Sequence, residues 1–427
     1  PMTLILAPAV IQVAGVVIVS AVFIQSVFLI VSSFRRLAIE REQRRVTLDS
    51  LRYQTEIATA ESKKEGDRTT LSWSGHRKFE VQRKVKEVGG VHSFYLVPHD
   101  GKPLPPFLPG QYLTFQLRIP GQPKPIIRCY SLSDSPNNPD YDRVSIKKVP
   151  PPRDQPDKPP GLSSTYFNDM LQEDDILDIK APSGQFFLDM TSERPIVFVG
   201  GGIGLTPVLS MLTALTESGI RREVWFFLGV RNGEEHLMKE QLEALNQANE
   251  NLHLHVCYSV PQKGDEKGRD YQHSGHVSVD LFKELLPSNN YTFYICGPPP
   301  MMEFLTAGLK EWGVPDDDVH FEAFGPATVK KTKAKAPEAG EAEAVEVVFD
   351  RSGKTLKWDA GAETLLEFAE DNGIVIDSGC RAGNCGTCIV AVKSGEVTYV
   401  TDPGVTPEEG SCLTCVAMPK TALTLDA

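Results

Sequence analysis

Five of the eight cysteines in this 427-residue chain lie close together near the C-terminus. The clustered thiols are Cys380, Cys385, Cys388, Cys412 and Cys415. The other three cysteines are far apart in the sequence. Thiols that crowd into one short segment indicate a metal centre in a reducing compartment rather than a set of disulfides. The C-terminal part of the chain must therefore fold so that these thiols converge.

The first three clustered cysteines follow the spacing C-x4-C-x2-C, from Cys380 through Cys385 to Cys388. With a distant fourth cysteine, this spacing is typical of a plant-type [2Fe-2S] cluster. Four thiolates are needed because each tetrahedral iron takes two protein ligands beyond the bridging sulfides. Structural zinc is the alternative, but zinc sites favour two paired C-x2-C knuckles, whereas this loop is single and asymmetric. The spacing therefore predicts an iron-sulfur cluster.

Two cysteines, Cys412 and Cys415, compete for the fourth ligand position. The loop resembles that of the ferredoxin family, in which the segment ends as Leu-x-Cys before a strand, and residues 413–415 read Leu-Thr-Cys. The resemblance implies that Cys415 is the fourth ligand and that residues 345–427 form a β-grasp ferredoxin domain. This segment has 13 acidic and 6 basic residues, a net charge of −7. Its charge suits either a face for a basic partner or simply a soluble surface.

A nearly unbroken apolar run covers residues 9–31. As a helix, the run is long enough to cross a bilayer core of about 30 Å. A secretory signal would need a basic residue before the apolar run, and no Lys or Arg precedes it here. Residues 1–33 are therefore predicted to be a transmembrane anchor. A buried core helix is the alternative. Five arginines between residues 35 and 45 predict a single-pass protein of the inner (cytoplasmic) membrane with its catalytic domains in the cytoplasm.

Two further segments have the composition of connections rather than of domains. Residues 34–74 are highly charged and are predicted to form a juxtamembrane spacer helix, with a short coiled coil as the alternative. Residues 327–344 are rich in Ala, Lys, Glu and Pro and leave nothing to bury. This composition predicts a flexible linker.

The region between the spacer and the linker divides into two parts with different sequence patterns. Residues 75–192 are rich in Pro and in short alternating apolar runs, which predicts an antiparallel β-barrel. Residues 193–326 alternate apolar strands with helical stretches, which predicts an α/β domain with a parallel sheet. The chain as a whole is therefore predicted to be a multidomain α+β protein. Its net charge of −12 argues against nucleic acid as a partner, because phosphate binding needs a basic surface.

Two motifs in the barrel region suit a flavin. An arginine can neutralise a diphosphate, a tyrosine can stack on an aromatic ring and a serine can bond a ring nitrogen, and residues 128–131 read Arg-Cys-Tyr-Ser. Residues 161–165 read Gly-Leu-Ser-Ser-Thr before a helical stretch, where backbone amides and hydroxyls can hold phosphate. Taken singly, the first motif fits an ordinary strand and the second fits a helix cap.

The α/β region contains two strand-to-helix junctions of special composition. A buried-strand pattern at residues 196–199 runs into Gly-Gly-Gly-Ile-Gly-Leu-Thr-Pro at residues 200–207. Strand, glycine segment and helix in that order let the backbone approach a pyrophosphate. The second junction reads Tyr-Ile-Cys-Gly-Pro-Pro-Pro at residues 294–300. A purely structural glycine turn and a small buried cysteine are the alternatives.

The order of these motifs resembles that of the ferredoxin-NADP reductase superfamily, in which PGQY, RCYS, GLSS and APSGQFF precede the nicotinamide segments. In this chain these four motifs lie, in the same order, between residues 109 and 187. The resemblance covers about residues 75–326. It implies that Arg128 contacts the flavin pyrophosphate, Tyr130 stacks on the isoalloxazine and Ser131 lies near its N5. It favours FAD over FMN and assigns the diphosphate to Gly161, Ser164 and Thr165.

The same resemblance implies a nicotinamide site. Cys296 is expected beside the nicotinamide C4, orienting the ring, while Glu322 and Phe324 are expected near the flavin ring. With Ser131, Cys296 and Glu322 form the predicted catalytic set. NADH is favoured over NADPH because only one basic residue, Arg231, follows the second strand, and acidic residues come after it. The residues implied in nicotinamide-cofactor binding are Gly201, Gly202, Gly204, Thr206, Pro207, Arg231, Gly297 and Pro298.

The three predicted sites form a chain of electron carriers. NADH gives two electrons at once, a flavin stores two and releases one, and a [2Fe-2S] cluster takes one at a time. The domain order is similar to that of phthalate dioxygenase reductase and ketosteroid hydroxylase reductase. The sequence thus predicts a membrane-anchored NADH-dependent reductase whose partner is a membrane-bound or membrane-docked oxygenase, desaturase or cytochrome. An NADH:quinone reductase, similar to the flavin subunit of the sodium-pumping enzyme, is the second hypothesis. A non-catalytic scaffold is the third.

Overall fold

The computed structural model describes most of the chain from residue 62 onward and only isolated positions before it. The gaps after residue 62 are 152–155, 220–221, 325–344, 359–361, 363, 380, 382, 384–385, 401–402 and 404. The chain divides into two units, Pro1–Thr69 and Thr70–Ala427. In the first unit, residues 62–69 and the isolated described positions are helical. The second unit holds three larger sheets.

The first sheet is antiparallel throughout. Its strands are β1 (Arg77–Lys86), β2 (Val91–Pro98), β3 (Tyr112–Leu117), β4 (Ile126–Ser131), β5 (Asp142–Lys147) and β6 (Ile176–Ser183). They lie in the order β4-β3-β6-β1-β2-β5. The two outer strands also meet at a single bridge between Leu132, just after β4, and Val144 of β5. The sheet therefore curls until its edges approach each other.

One aromatic side chain lies at the centre of the core of this sheet. Phe167 belongs to the π-helical turn Tyr166–Met170, which continues the short helix α1 (Leu162–Thr165). Its fully buried ring meets the rings of Phe94, Phe115 and Tyr130 at centroid distances of 5.3, 5.4 and 5.1 Å, all edge to face. Such geometry matches the quadrupoles of the rings. Phe167 thus fixes the helical turn to three strands at once.

The second sheet is parallel throughout. Its strands are β7 (Ile196–Gly201), β8 (Val224–Val230), β9 (Leu252–Tyr258), β10 (His273–Ser274), β11 (Thr292–Gly297) and β12 (Val319–Ala323). They lie in the order β10-β9-β8-β7-β11-β12, with every neighbouring pair parallel. The strand order reverses between β7 and β11. In open α/β sheets, ligands bind at the carboxyl ends of strands at such a switch point.

Helices cover both faces of the second sheet. They are α2 (Leu205–Glu217), α3 (Lys239–Ala248), α4 (Val279–Leu285) and α5 (Pro299–Glu311). Successive residues of β7 alternate between the two faces: Ile196 and Phe198 belong to one core cluster, and Val197 and Val199 to the other. A parallel strand buried on both sides reads as a continuous apolar run, which explains the composition of this segment.

The first and second sheets share apolar core. Val91 of β2, together with Phe186 and Leu188 from the segment after β6, is buried in the same cluster as residues of β7 and α2. Gly110 lies at this contact, because a Cβ there would lie only 2.4 Å from Cε of Met211 on α2. The predicted PGQY motif is thus part of the contact between the two domains.

The third sheet lies at the C-terminus. Its strands are β13 (Glu346–Phe349), β14 (Lys354–Lys357), β15 (Ile389–Ser394), β17 (Ser411–Leu413) and β19 (Leu423–Leu425), while β16 (Val397–Tyr399) and β18 (Ala417–Pro419) form a separate pair. The order is β14-β13-β19-β15-β17, with β13 and β19 parallel. Helix α6 (Leu365–Asp371) packs on this core and is capped by Thr364, whose side chain accepts from the Glu367 amide.

The predicted multidomain α+β organisation is confirmed, with an antiparallel-sheet domain, a parallel-sheet domain and a ferredoxin-like domain. Within the described parts of the chain, no helix has the length and apolar character needed to cross a membrane. Most of the apolar run at residues 9–31 lies outside the described residues, as do most of the predicted spacer and all of the predicted linker at 327–344.

We expect Asp142→Asn to change how stability depends on pH. Asp142 is buried, its Oδ2 has no hydrogen-bond partner, and desolvation raises the pKa of its carboxyl from 3.8 to about 7. The folded state therefore holds a proton that the unfolded chain releases near pH 4. As a result, the free energy of unfolding falls as the pH rises from about 4 through about 7.

A shift of about three pKa units corresponds to about 4 kcal/mol. The asparagine variant should lose the contribution of Asp142 to this fall and so show a shallower pH profile, which urea unfolding between pH 4 and 8 would measure. Asp140→Asn, at an exposed neighbouring position, is the matched control and should keep the wild-type profile. Parallel pH profiles for wild type and Asp142→Asn would contradict the prediction.

Candidate functional site

Tyr130 is held in place by contacts on its ring and on its hydroxyl. The ring packs on Phe167 as described, and also lies 5.7 Å from Phe115 in an edge-to-face arrangement. The hydroxyl is 2.7 Å from Oγ of Ser163 in the Gly-Leu-Ser-Ser-Thr motif. Burial raises the pKa of Tyr130. The predicted flavin-stacking residue is therefore neutral and fixed, and the structure joins the two predicted flavin motifs through it.

The three hydroxyls of residues 163–165 have different surroundings. The hydroxyl of Ser164 accepts from the Val149 amide at 3.1 Å and donates to the Gly161 carbonyl at 2.9 Å, so it stabilises the turn. Oγ1 of Thr165 is buried without a hydrogen-bond partner. A buried hydroxyl left unbonded at the last residue of α1 costs free energy, which a bound phosphate oxygen would recover.

The remaining flavin candidates lie on the same strand as Tyr130. Arg128 is exposed and its guanidinium donates only to its neighbour, the Ile127 carbonyl, at 2.7 Å among the contacts described. Ser131 is buried at the end of β4. Two apolar side chains beside the helical turn, Val149 and Leu162, are exposed. An exposed cation, a buried unbonded hydroxyl and exposed apolar side chains, all within or beside the two flavin motifs, fit a flavin nucleotide.

The two nicotinamide motifs meet at the switch point of the second sheet. Cys296 of β11 pairs with Gly200 of β7. A Cβ on Gly204 would lie 2.3 Å from the Cys296 carbonyl oxygen, and one on Gly297 would lie 3.1 Å from the Gly201 Cα. Side chains at these positions would force the two backbones apart. The glycines therefore permit the end of β7 and its turn to pack closely against the end of β11.

A buried carboxyl lies beside the candidate cysteine. Glu322 of β12 is the register partner of Cys296 on β11. Desolvation raises the pKa of Glu322 to about 8, and its Oε2 is buried without a hydrogen-bond partner. Burial, and secondarily Glu322, raise the pKa of the Cys296 thiol well above its ordinary value. At neutral pH both groups are therefore protonated, and the fully buried Cys296 is not a thiolate nucleophile.

The other nicotinamide candidates surround this junction. Thr206 and Pro207 are buried in the first turn of α2, where the Thr206 hydroxyl donates to the Ile203 carbonyl at 3.1 Å. Pro298 caps the start of α5, and Phe324 directly after β12 packs against the core shared with α2. Arg231 is exposed just after β8, two strands from Cys296. Strand β5 of the first sheet also lies against the turn Gly202–Gly204.

Of the four predicted cluster ligands, Cys388 and Cys415 are described and buried, whereas Cys380 and Cys385 lie outside the described residues. The described residues alone include no group of three or more potential metal-ligand side chains. The Gly383 amide donates to the Cys415 sulfur at 3.3 Å, as amides do to cluster thiolates. Thr414 donates to the Cys388 carbonyl through its amide and its hydroxyl, at 3.2 and 3.0 Å.

The competing thiol, Cys412, lies within β17 opposite Val390 of β15. Burial raises its pKa to about 12, and the nearby Cys388 adds to this shift. In contrast to Cys412, Cys388 and Cys415 lie in segments that Thr414 joins, and the Cys415 sulfur accepts a hydrogen bond from the Gly383 amide. Two buried thiols with an amide donor beside one of them fit an iron-sulfur cluster.

Three family models match consecutive parts of the chain. The oxidoreductase FAD-binding domain matches residues 90–188, the oxidoreductase NAD-binding domain matches residues 198–307 and the 2Fe-2S iron-sulfur cluster binding domain matches residues 347–420. Each match covers most of the strands of one of the three sheets, and the matches follow the order in which the sequence motifs occur.

Known proteins resemble either two or three of these domains. A flavohemoprotein of Halalkalibacterium halodurans is 40% identical over 255 residues, which are 60% of this chain and 61% of the relative. The chain thus spans about three fifths of the length of such relatives. The FAD/NAD-binding domain of nitric oxide dioxygenase from Vibrio cholerae is 30% identical with a TM-score of 0.52, covering 59% of this chain and all of that domain. Phthalate dioxygenase reductase is 25% identical with a TM-score of 0.50, covering 83% of this chain and 98% of the reductase.

The chain therefore has the domain arrangement of the ferredoxin-NADP reductase superfamily, followed by a C-terminal [2Fe-2S] ferredoxin domain. Its FAD-binding, NAD-binding and [2Fe-2S] domains fit an NAD(P)H-dependent flavin and iron-sulfur oxidoreductase, in the arrangement of phthalate dioxygenase reductase.

The sequence does not identify two residues of the flavin region that hold Tyr130 in place. Ser163 bonds Tyr130, and Phe167 supports its ring. Ser163 lies inside a predicted motif, but the sequence does not say which of three consecutive hydroxyls faces the tyrosine. Phe167 reads as an ordinary core residue, because its contacts come from strands more than 35 residues away.

Gly204→Ala should destabilise the second sheet, because its Cβ would meet the Cys296 carbonyl, a backbone atom that does not swing away. We expect the free energy of unfolding to fall by at least about 2 kcal/mol, as in overpacked cores. Gly202→Ala is the control. Gly202 has a positive φ of 54° but open space around it, so that change should cost only about 1 kcal/mol. Urea unfolding of both variants tests this, and a Gly204→Ala protein as stable as Gly202→Ala would disprove it.

Proposed function

We propose that the protein passes electrons from NADH through FAD and the [2Fe-2S] cluster to a membrane-bound or membrane-docked acceptor. The observation that carries this proposal is the joining of the first two sheets: the glycine turn at the switch point lies against β5, and a common apolar core holds the two domains together. The presence of a ferredoxin domain in the same chain supports onward transfer of single electrons. When bound, FAD converts the two-electron donation of NADH into one-electron steps.

The residues of the chain have separable roles in this proposal. Arg128 neutralises the flavin diphosphate, and Thr165 supplies the hydroxyl that lacks a partner. Tyr130 presents a fixed ring surface for stacking. Cys296, kept as a thiol by burial, orients the nicotinamide. Glu322, protonated at neutral pH, provides a hydrogen-bond donor close to Cys296 without adding charge.

The proposal favours NADH over NADPH. Beyond β8, the exposed Arg231 is followed by Glu234 and Glu235. The Asp265 carboxylate also lies here, 3.4 Å from the Gly233 amide that donates to it. Glu235 is paired with Lys147 at 2.8 Å, which leaves Glu234 and Asp265 as the carboxylates that would repel a 2′-phosphate here.

Anchoring by residues 9–31 is part of the proposal. The described positions in this run are helical, and the large apolar side chains among them, Val19, Phe23, Phe28 and Leu29, are exposed. Exposed side chains of this kind on a helix suit a lipid environment. An acceptor confined to the same membrane follows from such an anchor. The inner (cytoplasmic) membrane, with the catalytic domains in the cytoplasm, is the proposed location.

The order of carriers can be tested with a chain that ends at Phe324. Such a chain lacks the ferredoxin domain but keeps the first two sheets. It should oxidise NADH with ferricyanide at close to the full-length rate and reduce cytochrome c at least tenfold more slowly. Both rates are measured by absorbance. Equal cytochrome c rates for the two chains would refute the order proposed here.

The ligand set can be tested at the two competing cysteines. We propose Cys380, Cys385, Cys388 and Cys415 as cluster ligands, with Cys415 supported by the Gly383 amide. Cys415→Ser should lose the visible cluster absorbance and the paramagnetic signal of the reduced protein. Cys412→Ser is the matched control and should keep both signals. The opposite result would show that Cys412 is the ligand.

The anchor can be tested by deleting residues 1–33. The shortened protein should keep its NADH-ferricyanide activity, because the three sheets are intact, but should lose most of the NADH oxidation that is coupled to native membranes. Soluble ubiquinone analogues serve as the control acceptor. If the full-length protein reduces them as fast as it reduces its acceptor in membranes, the quinone reductase hypothesis replaces the present one.

A further inference from the structure

Helix α2 connects the two halves of the proposed reaction site. Its N-terminus follows the glycine turn Gly202–Gly204, which lies at the switch point, and its last residue is Glu217. The direction of a helix fixes where its first amides point. Any contact that sets the position of α2 therefore also sets the position of the glycine turn.

Two polar side chains of α2 reach across to the flavin domain. The Ser210 hydroxyl donates to the Asp134 carbonyl at 2.7 Å. Near the C-terminal end of the helix, the Glu217 carboxylate accepts from Asn137 Nδ2 at 2.9 Å and from the Ser135 hydroxyl. Both contacts fall on one short loop, residues 134–137, which begins three residues after Ser131.

The same loop is firmly attached on its flavin side. The amide of Ser133 donates to the Arg143 carbonyl at 2.8 Å, and its hydroxyl lies 3.0 Å from that of Ser145. The Asp134 carboxylate accepts from the Tyr141 hydroxyl at 3.1 Å and pairs with the Arg143 guanidinium at 3.4 Å. Loop 134–137 is thus continuous with β4, which carries Tyr130 and Ser131, and is bonded to β5.

We propose that Ser210 and Glu217 are positioning residues that set the glycine turn relative to the flavin strand. The loop 134–137 together with these two side chains forms an interdomain brace. Apolar packing of α2, including Met211 against Gly110, holds the domains together but does not by itself fix how far the helix slides along the interface. Hydrogen bonds at two points, seven residues apart on the helix, restrict that sliding. The kinetic effect predicted for the brace rests on the proposed function. The existence of the brace does not depend on that function.

The kinetic test uses the full-length protein with FAD bound and follows flavin reduction by NADH in a single turnover. Ser210→Ala and Glu217→Ala should each slow flavin reduction about tenfold, because small misplacements of reacting groups are costly. The dissociation constant for NADH and the FAD content should stay within about twofold of wild type. Glu217→Gln should restore most of the rate, since its amide oxygen accepts the same two hydrogen bonds.

Thr216→Ala is the matched control on the same helix. Its hydroxyl donates within α2, to the Leu212 and Thr213 carbonyls, and makes no described bond to the flavin domain. It should reduce flavin at the wild-type rate. If Ser210→Ala and Glu217→Ala also reduce flavin at the wild-type rate, or if Thr216→Ala is equally slow, the positioning role is refuted.

A second measurement needs neither cofactor nor activity. Amide hydrogen exchange of the full-length protein without FAD or NADH should be faster at residues 133–137 and 202–208 in Ser210→Ala and Glu217→Ala than in wild type or Thr216→Ala. Unchanged exchange at both segments would overturn the brace. A wild-type protein that fails to oxidise NADH would instead refute the proposed function, while leaving the exchange result to decide the brace.

Discussion

The close approach of two backbones at the centre of the second sheet is the constraint on which the site depends. Gly204 and the Cys296 carbonyl are too near for any side chain at position 204. That contact brings the ends of β7 and β11 together at the point where strand order reverses, which is where α/β sheets bind ligands. It also leaves Cys296 beside Glu322 in a region dry enough to keep both groups protonated at neutral pH.

Helix α2 connects the glycine turn to the flavin domain. The helix starts at the glycine turn, shares its apolar core with Val91, Phe186 and Leu188, and is hydrogen-bonded to the loop that continues the flavin strand. Apolar burial provides most of the free energy of such a contact, but it is not directional. The hydrogen bonds add direction. The flavin and nicotinamide sites are therefore parts of one structural unit rather than neighbours by chance.

Much of this organisation is predictable from local sequence. The C-x4-C-x2-C spacing, the glycine segment after an apolar strand and the order of the flavin motifs indicate the three cofactor domains, which the family matches confirm. The roles of the individual hydroxyls in the flavin motif are not predictable from the local sequence. Ser163 serves Tyr130, Ser164 closes its own turn and Thr165 lacks a partner, although the three are adjacent in sequence. Their roles depend on strands that approach from elsewhere in the chain.

The sequence by itself determined which chemistry the chain can hold, because thiol spacing, glycine content and strand periodicity are local properties that survive in any fold containing them. Only the tertiary structure decided which groups are buried together. Asp142 looks like an ordinary acidic residue, and the sequence gives no protonation state for Glu322, yet desolvation gives them pKa values of about 7 and about 8. Glu217 reads as a solvated helix end but bonds Asn137 of another domain. Such effects depend on distance and on exclusion of water, which residues remote in sequence establish only when the chain has folded.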